Sequence, residues 1–488
     1  MERERRYLRS VSPRFAGVLR IANSAVYTWA IDMRKFSIQT LGCKVNHYES
    51  EQMASLLRSH GWVESGPDDA ELRIVNTCSV TMEAASKSRQ AVRRAVRTGD
   101  KSKVVVAGCW ATSDKQTASQ MTGVDLVLTH HDNVADRLTE FASNGAKGQK
   151  LGVVGTRSLP LLHQRQHQQQ RAFLKIQDGC DAHCTYCIIP KLRPLLWSKP
   201  LDELVREATQ LVDAGHVELV LTGIFLGAYG RETAVRRRQS SVARRPLAEV
   251  IDALCTRVPG LRRVRLSSLE PGDIDHELLA SLRSHRQIVP HFHVPLQSGS
   301  DAILRKMNRQ YRRDDFLRLV DRLYSAFDRP ALTTDVIVGF PGESEAAFQQ
   351  TLDVVHHARF IHVHAFAFSP RPGTAAARWQ RDFVRGPVVG RRIDLLRRHA
   401  GAFSLDFRST FVNETVQLLV ERERSAPGVW RHGRCERYFD VHFENDSTAV
   451  GAAATGDLVD VRIDRVTPTR TFGTLVSIAA NGPEHSSP

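Results

Sequence analysis

From residue 36, short apolar runs alternate with amphipathic stretches. FSIQTLGCKVN, LRIVNTCSVT and KVVVAGCWA each begin as a buried strand. Each ends in a polar or glycine-containing turn that carries a cysteine, Cys43, Cys78 or Cys109. Between them YESEQMASLLRSHGW and KSRQAVRRAVR place apolar residues at helical spacing. Strand alternating with helix predicts a parallel sheet, whose ligands gather beyond the carboxyl ends of the strands. All three cysteines fall at that edge. One alone reads as a buried structural thiol, whereas three placed alike point to a shared site.

Residues 155–171, TRSLPLLHQRQHQQQRA, carry no period and read as a linker. A second series follows: FLKIQDGC, ELVLTG, RVRLSSLEP, HFHVPLQSG, LTTDVIVGFPG and HVHAFAFSPRPGT are strand candidates, separated by helical stretches such as LDELVREATQLVDAG and DDFLRLVDRLYSAF. Six such units predict an incomplete parallel barrel, a partial (β/α)6, with chemistry at the carboxyl ends of its strands. RETAVRRRQSSVARR (231–245) is a basic insert, readable as a surface loop or as an RNA contact. From about residue 408 the period becomes two, in TVQLLVE, RYFDVHF and DLVDVRI, which predicts a small antiparallel β-barrel.

The expected organisation is therefore α/β, in six parts. They are an extension over 1–34, a parallel α/β domain over 35–154, the linker over 155–171, a barrel over 172–405, a small β-barrel over 408–476 and a disordered tail over 477–488. The Arg-rich extension fits no element, and Glu2 and Glu4 are unusual in a targeting peptide. A start at Met33, immediately before the first strand, is the preferred reading.

Composition sharpens this picture in three respects. A chain of 488 residues corresponds to roughly three domains of about 150 residues. No apolar run reaches 18 residues, so no membrane span is expected. The net charge of +15 implies an acidic partner, most often nucleic acid. Eight cysteines without a clear secretory signal imply the reducing cytoplasm, where clustered thiols bind metal or catalyse rather than form bridges.

The densest chemistry lies in DGCDAHCTYC, where Cys180, Cys184 and Cys187 stand at spacings that leave no fourth thiol nearby. Structural zinc takes four Cys or His ligands, usually as two separated pairs, and no second pair follows here. A cubane iron–sulfur cluster fits better: its four irons normally take four thiolates, and three leave one iron open to a substrate. The His291/His293 pair, which flanks one strand residue, is expected to be packed or hydrogen-bonded rather than metal-bound.

C-x3-C-x2-C with an aromatic residue, Tyr186, before the last cysteine is the radical S-adenosylmethionine (SAM) signature. Over residues 36–475 the chain resembles the methylthiotransferase family. The resemblance is carried in order by TLGCKVN, VNTCSVT, VAGCWA, DGCDAHCTYCIIP, LVLTGIFLGAYG, RLSSLEP, HFHVPLQSGSD, DVIVGFPGE and FSPRPGT. It implies an N-terminal domain with an auxiliary [4Fe-4S] cluster, a radical SAM barrel with a second, and a C-terminal TRAM domain, a small RNA-binding barrel. By position it assigns Cys43, Cys78 and Cys109 to the auxiliary cluster and Cys180, Cys184 and Cys187 to the SAM cluster. Cys255 and Cys435 match neither set.

The resemblance also implies the chemistry. The target carbon carries an unactivated C–H bond, so a cofactor must supply the reactivity. In such enzymes one SAM is cleaved to a 5′-deoxyadenosyl radical, another supplies the methyl group, and a methylated sulfur held at the auxiliary cluster is inserted at the activated carbon. Tyr186, Gly223, Ser268, Gln297 and Gly339 are the candidate SAM-binding residues, although glycines also serve turns and Ser268 also suits a helix cap. The implied partners are tRNA, an external one-electron reductant and a sulfur donor.

LGCKVN, LTGIFLGAYG and FSPRPGT resemble the group acting on threonylcarbamoyladenosine at position 37 of tRNA. The alternatives are an isopentenyl adenosine of tRNA, an aspartate of a ribosomal protein and, in another class, a non-catalytic iron–sulfur RNA-binding redox sensor. Two positions depart from the family: Pro194 stands where glycine is usual, and Phe225 where the family has Asn in LTGxN. Proline fixes φ and removes a donor, and Phe225 exchanges a polar amide for bulk. Both put the substrate contacts in question.

Overall fold

Residues 34–98, 102–143, 159–164, 170–231, 247–422, 430–445 and 451–479 are described by a computed structural model. The Met33 start, much of the 155–171 linker, the basic insert beyond Arg231 and the tail beyond Ala479 lie outside the described residues.

The N-terminal strands are β1 (Lys35–Thr40), β2 (Val63–Glu64), β3 (Leu72–Thr77), β4 (Lys103–Ala107) and β5 (Leu126–Leu128). They form one parallel sheet in the order β2-β1-β3-β4-β5. Alternate residues supply the two faces: Ile74 and Val105 join one apolar cluster, and Val75, Val104 and Val106 join the other. The helices Lys44–Ser59 and Met82–Arg97 help to cover the sheet, whose central strands are apolar nearly throughout because both faces are buried.

The next strands are β6 (Ala172–Lys175), β7 (Gln177–Asp178), β8 (Trp197–Ser198), β9 (Glu218–Thr222), β10 (Arg263–Leu266), β11 (His291–His293), β12 (Ala331–Val338) and β13 (His362–Ala367). Two three-stranded parallel sheets, β6-β9-β10 and β11-β12-β13, stand side by side, linked by a bridge between Val264 and Ile288. This is the incomplete barrel. Leu174, Leu219, Leu221, Val264, Phe292 and Val336 pack outward into one large core. Strand alternation therefore turns Lys175, Glu218, Thr222, Arg265, His293 and Asp335 inward. Bulky branched side chains fill a complete barrel of this type. Here many inner positions are polar, with Phe173, Val220, Ile337 and Phe366 among the apolar ones, and together they line a chamber.

The helix Gly386–Ser409 runs through the pattern change expected between 405 and 408 and leads into the last strands. These are β14 (Thr415–Val420), β15 (Trp430–Cys435), β16 (Asp440–Glu444), β17 (Leu458–Val466) and β18 (Thr471–Ile478), closed as β14-β15-β16-β18-β17. All neighbours are antiparallel except β16 and β18, which run parallel where the barrel closes. Closure removes the exposed sheet edges that a five-stranded ribbon would leave.

Candidate metal centres and the chamber between them

Because β1, β3 and β4 are adjacent and parallel, their carboxyl ends bring Cys43, Cys78 and Cys109 to one edge. Cys43 caps the helix Lys44–Ser59, Cys78 follows β3, and Cys109 opens the short helix Gly108–Ser113. The approach is close enough to demand glycine twice. Gly42 (φ +108°) and Gly108 (φ +91°) are left-handed; a Cβ on the first would stand 2.9 Å from Cys78 Cβ, and one on the second would strike Asn76 Oδ1 and the Thr77 carbonyl. Asn46 Nδ2 donates to the carbonyls of Leu41 (2.8 Å) and Thr77 (3.0 Å), tying two of the cysteine turns together.

Cys43 is exposed, whereas Cys78 and Cys109 are buried. Burial pushes the Cys78 thiol up, opposed by the backbone N–H groups of Val80 and Ser79. Burial also pushes Cys109 up to about 12, opposed by the Arg193 guanidinium. The other two thiols act on Cys109 by like charge, as three neighbouring thiolates would. His130 Nε2 lies 3.6 Å from Cys109 Sγ, and burial drives this imidazole down to about 3, so it is neutral.

The second set occupies the loop between β7 and β8, which pair antiparallel and close its base. The Cys180 N–H donates to the Arg193 carbonyl (3.0 Å) and the Cys187 N–H to the Cys184 carbonyl (3.1 Å). All three thiols are half-buried. Burial raises Cys180 to about 12 and Cys187 to about 11, against the backbone N–H groups of Ala182 and Ile189. Arg309 donates to Cys184 Sγ (3.4 Å) while paired with Glu270. Both sets thus combine thiols with N–H donors aimed at sulfur, the environment that holds thiolates on iron–sulfur clusters. The donor sets fit such clusters.

The other candidate residues are more varied. Tyr186 packs on the Phe340 ring edge (6.3 Å) beside this loop. Gly223 adjoins Gln177, whose Oε1 accepts from the Phe225 N–H (2.8 Å) and whose Nε2 donates to the carbonyls of Asp178 and Gly179. Ser268 is exposed at the end of β10. Gln297 is left-handed (φ 58°), and its N–H donates to the Asp335 carbonyl (2.8 Å). Gly339 (φ +75°) is filled against by Val389, and its N–H donates to Glu343 Oε2 (2.7 Å). Of the departures, Pro194 is exposed, and Phe225 is half-buried beneath the Arg231 guanidinium (5.5 Å). Cys255 and Cys435 are buried in apolar clusters away from both sets.

Several residues that sequence reasoning missed join the two cysteine regions. Arg193, from the second loop, makes paired bonds to Glu49 on the helix behind Cys43 (2.8 Å each) and a third to Asp178 (2.8 Å). Lys175 completes the buried square by donating to both carboxylates (2.7 Å each). FSPRPGT bridges them again: Ser369 Oγ accepts from the Met82 N–H (3.0 Å), Arg371 lies beside Cys78, the Gly373 carbonyl accepts from Lys191, and the Ala376 N–H donates to the Thr185 carbonyl (2.9 Å).

Between the two sets lies the polar chamber. Lys44 reaches Ser267 Oγ (3.4 Å), which stands 3.1 Å from Thr222 Oγ1. His291 and His293 both meet Thr333 Oγ1 (3.1 and 3.0 Å), the hydrogen-bonded arrangement expected of them. His293, Asp335 and His364 also bring ligand atoms within 4.8 Å of one another. From the C-terminal barrel, Tyr438 stacks on His291 (4.2 Å between centroids).

Residues 35–129 match the family described as "Uncharacterized protein family UPF0004", and residues 174–355 match the "Radical SAM superfamily". The threonylcarbamoyladenosine tRNA methylthiotransferase MtaB of Bacillus subtilis is 35% identical over 431 residues, covering 86% of this chain and 92% of that protein. Its namesake in Thermotoga maritima is 36% identical over 395 residues, covering 80% and 87%. The tRNA-2-methylthio-N(6)-dimethylallyladenosine synthase of Erythrobacter litoralis is 32% identical over 456 residues, covering 92% and 98%.

Proposed function

The chain belongs to the tRNA methylthiotransferases of the radical SAM superfamily, and from that premise we propose that it adds a methylthio group to C2 of N6-threonylcarbamoyladenosine at position 37 of tRNA. It is a transferase whose cofactors are SAM and [4Fe-4S] clusters. In this reading Cys180, Cys184 and Cys187 hold the cluster that binds SAM, and Cys43, Cys78 and Cys109 hold an auxiliary one. When bound, these groups supply the one-electron chemistry and the sulfur that an unactivated C–H bond requires.

The protein's own residues do the positioning. The N–H groups of Ala182 and Ile189, with Arg309, favour thiolates in the second set. The square of Glu49, Arg193, Lys175 and Asp178 fixes one cysteine region against the other. The observation that carries the reading is the FSPRPGT loop, which braces both cysteine regions at once. A reaction that draws a radical from one centre and sulfur from the other needs that fixed separation. The C-terminal barrel is proposed as a TRAM-type RNA-binding module. An external one-electron reductant, a sulfur donor and a cytoplasmic location complete the proposal; no described helix is long and apolar enough to cross a membrane.

Mass spectrometry of tRNA nucleosides from cells with and without the gene tests the substrate. Loss of the methylthio form of threonylcarbamoyladenosine, with its precursor accumulating, is the expected result. Loss of the methylthio isopentenyl form, or an unchanged tRNA profile with an altered ribosomal protein, would redirect the assignment. In the purified protein under reducing, anaerobic conditions, Cys184→Ala is expected to abolish 5′-deoxyadenosine release. Cys78→Ala is expected to retain that release and lose methylthiolation, and a pure redox sensor would release none in any form.

A further inference from the structure

Most cations on the chamber wall have an acid beside them. Lys175 has Glu49 and Asp178, Arg265 has Glu218, and Arg434 has Asp440. Lys44 is different. Its Nζ meets Ser267 Oγ at 3.4 Å, and among the described residues no carboxylate lies within 4.0 Å of it. Burial lowers the Lys44 pKa, with Arg265 and Arg171 acting in the same sense and Tyr438 and Cys43 opposing, although the residue as a whole is half-buried. An amine with one hydroxyl partner and no carboxylate keeps bonding capacity for an anion, with that hydroxyl beside it.

The opposite wall offers hydrogen-bonding groups. His293 Nδ1 is held by Thr333 Oγ1 (3.0 Å), which leaves Nε2 facing Asp335 Oδ2 (3.4 Å), and His364 closes the group. These three residues have the make-up of a divalent-cation site. Burial lowers His364 to about 4, with His362, His293 and Lys44 acting in the same sense and Asp335 opposing, so it faces the chamber as a neutral hydrogen-bonding imidazole. Together the walls suit a guest that carries a carboxylate, a hydroxyl and N–H groups.

We propose that Lys44, with Ser267, seats the carboxylate of the threonylcarbamoyl substituent and so selects this adenosine over one bearing an apolar N6 group. The inference rests on the function proposed above and adds the residue that reads the substrate. Lys44 adjoins Cys43, so anchoring the substituent here holds the base at the side of the first cysteine set. A charge-assisted contact of this kind distinguishes charged from neutral ligands by about tenfold or more.

The test uses the full chain with its clusters assembled and two synthetic anticodon stem-loops. One carries threonylcarbamoyladenosine, and the other carries the same nucleoside with its carboxylate converted to a neutral methylamide. The wild type is expected to favour the carboxylate by about tenfold or more in kcat/KM, mostly through KM. Lys44→Met should bring that ratio close to one by losing only the carboxylate substrate's advantage, while Lys44→Arg should keep most of it. Equal use of both substrates by the wild type overturns the proposal whatever the variants do, as does a wild-type ratio in Lys44→Met. If Lys44→Met fails to retain iron, Lys44→Arg and Ser267→Ala carry the comparison. An unchanged ratio in Ser267→Ala together with a lost ratio in Lys44→Arg would then count against the carboxylate seat. Failure of the wild type to methylthiolate either stem-loop would instead remove the function on which the inference rests.

Discussion

Arg193 is the residue whose importance is hardest to read from the sequence. In the chain it is only the neighbour of the unusual Pro194; in the fold it is buried and bonded to Glu49 and Asp178. Its partners lie 144 and 15 positions away, so no local pattern could reveal the square they make. The grouping of the six cysteines into two sets was legible because one set is closely spaced and the other recurs at the ends of three strands. Lys44, within LGCKVN, was not, because its partner Ser267 lies 223 positions away. Removing one member of a buried charge group leaves the others uncompensated, so Arg193→Met is expected to cost about 3–5 kcal/mol, read as a fall in the thermal midpoint. The pH dependence has a definite sign. Burial opposes ionisation of Glu49 and Asp178, but Arg193 and Lys175 outweigh it and hold both carboxyls well below the usual carboxylate range. Their contribution is therefore complete above the ordinary carboxylate pKa and is lost as pH falls toward the depressed values. An acid titration of stability should be shallower in Arg193→Met than in the wild type.

At the scale of elements, the parallel strands followed directly from their apolar runs. The exceptions are instructive. β2 and β5 have two and three residues, too few to show a period, and they form at the sheet edges by pairing with β1 and β4. The helix Gly386–Ser409 carries Gly390 and Gly401 among arginines, which weakens its intrinsic preference, and packing against β13 and the helix Glu345–Ala358 sustains it. The FSPRPGT loop reads as a simple strand exit, yet its residues contact both cysteine regions. Arg371 donates to Met82 Sδ (3.0 Å) and lies beside Cys78. A displacement of about 1 Å in such a brace can lower a rate by about a hundredfold. Arg371→Ala is thus expected to leave 5′-deoxyadenosine release near the wild-type rate while methylthiolation falls roughly tenfold to a hundredfold. Equal loss of both products would show that the loop supports the SAM side alone.

For the whole molecule, the shift to period two near residue 408 separates the patterns of two barrels without separating their stability. Arg265, on β10, is fully buried between Glu218 (2.9 Å) and the C-terminal barrel, where it donates to the carbonyls of Glu436 (3.1 Å) and Cys435 (3.3 Å). Tyr438 projects from the same turn with φ 71°, stacks on His291 and lies beneath the Arg265 guanidinium (5.1 Å). Arg408 secures the other side through Thr471 (2.9 Å), and Arg329 pairs with Glu414 (2.7 Å). The C-terminal barrel therefore closes part of the chamber wall, and an RNA gripped by it would be held in fixed relation to the chamber. Such a contact makes the two barrels open together, since parting them would strip a buried guanidinium of two carbonyl acceptors while it keeps Glu218. Calorimetry of the wild type is expected to show one transition covering both. Arg265→Met removes the buried one of these links and leaves Glu218 with Arg263, so the C-terminal barrel should melt first, in a separate transition, held by contacts such as those through Arg408, Arg329 and Tyr438. Its tRNA affinity should still fall with rising salt as in the wild type, because the phosphate contacts of a basic chain remain. What should fall is methylthiolation per bound tRNA. Two separate transitions in the wild type itself would mean that the barrel is tethered rather than docked, and the chamber would have to hold its substrate without it.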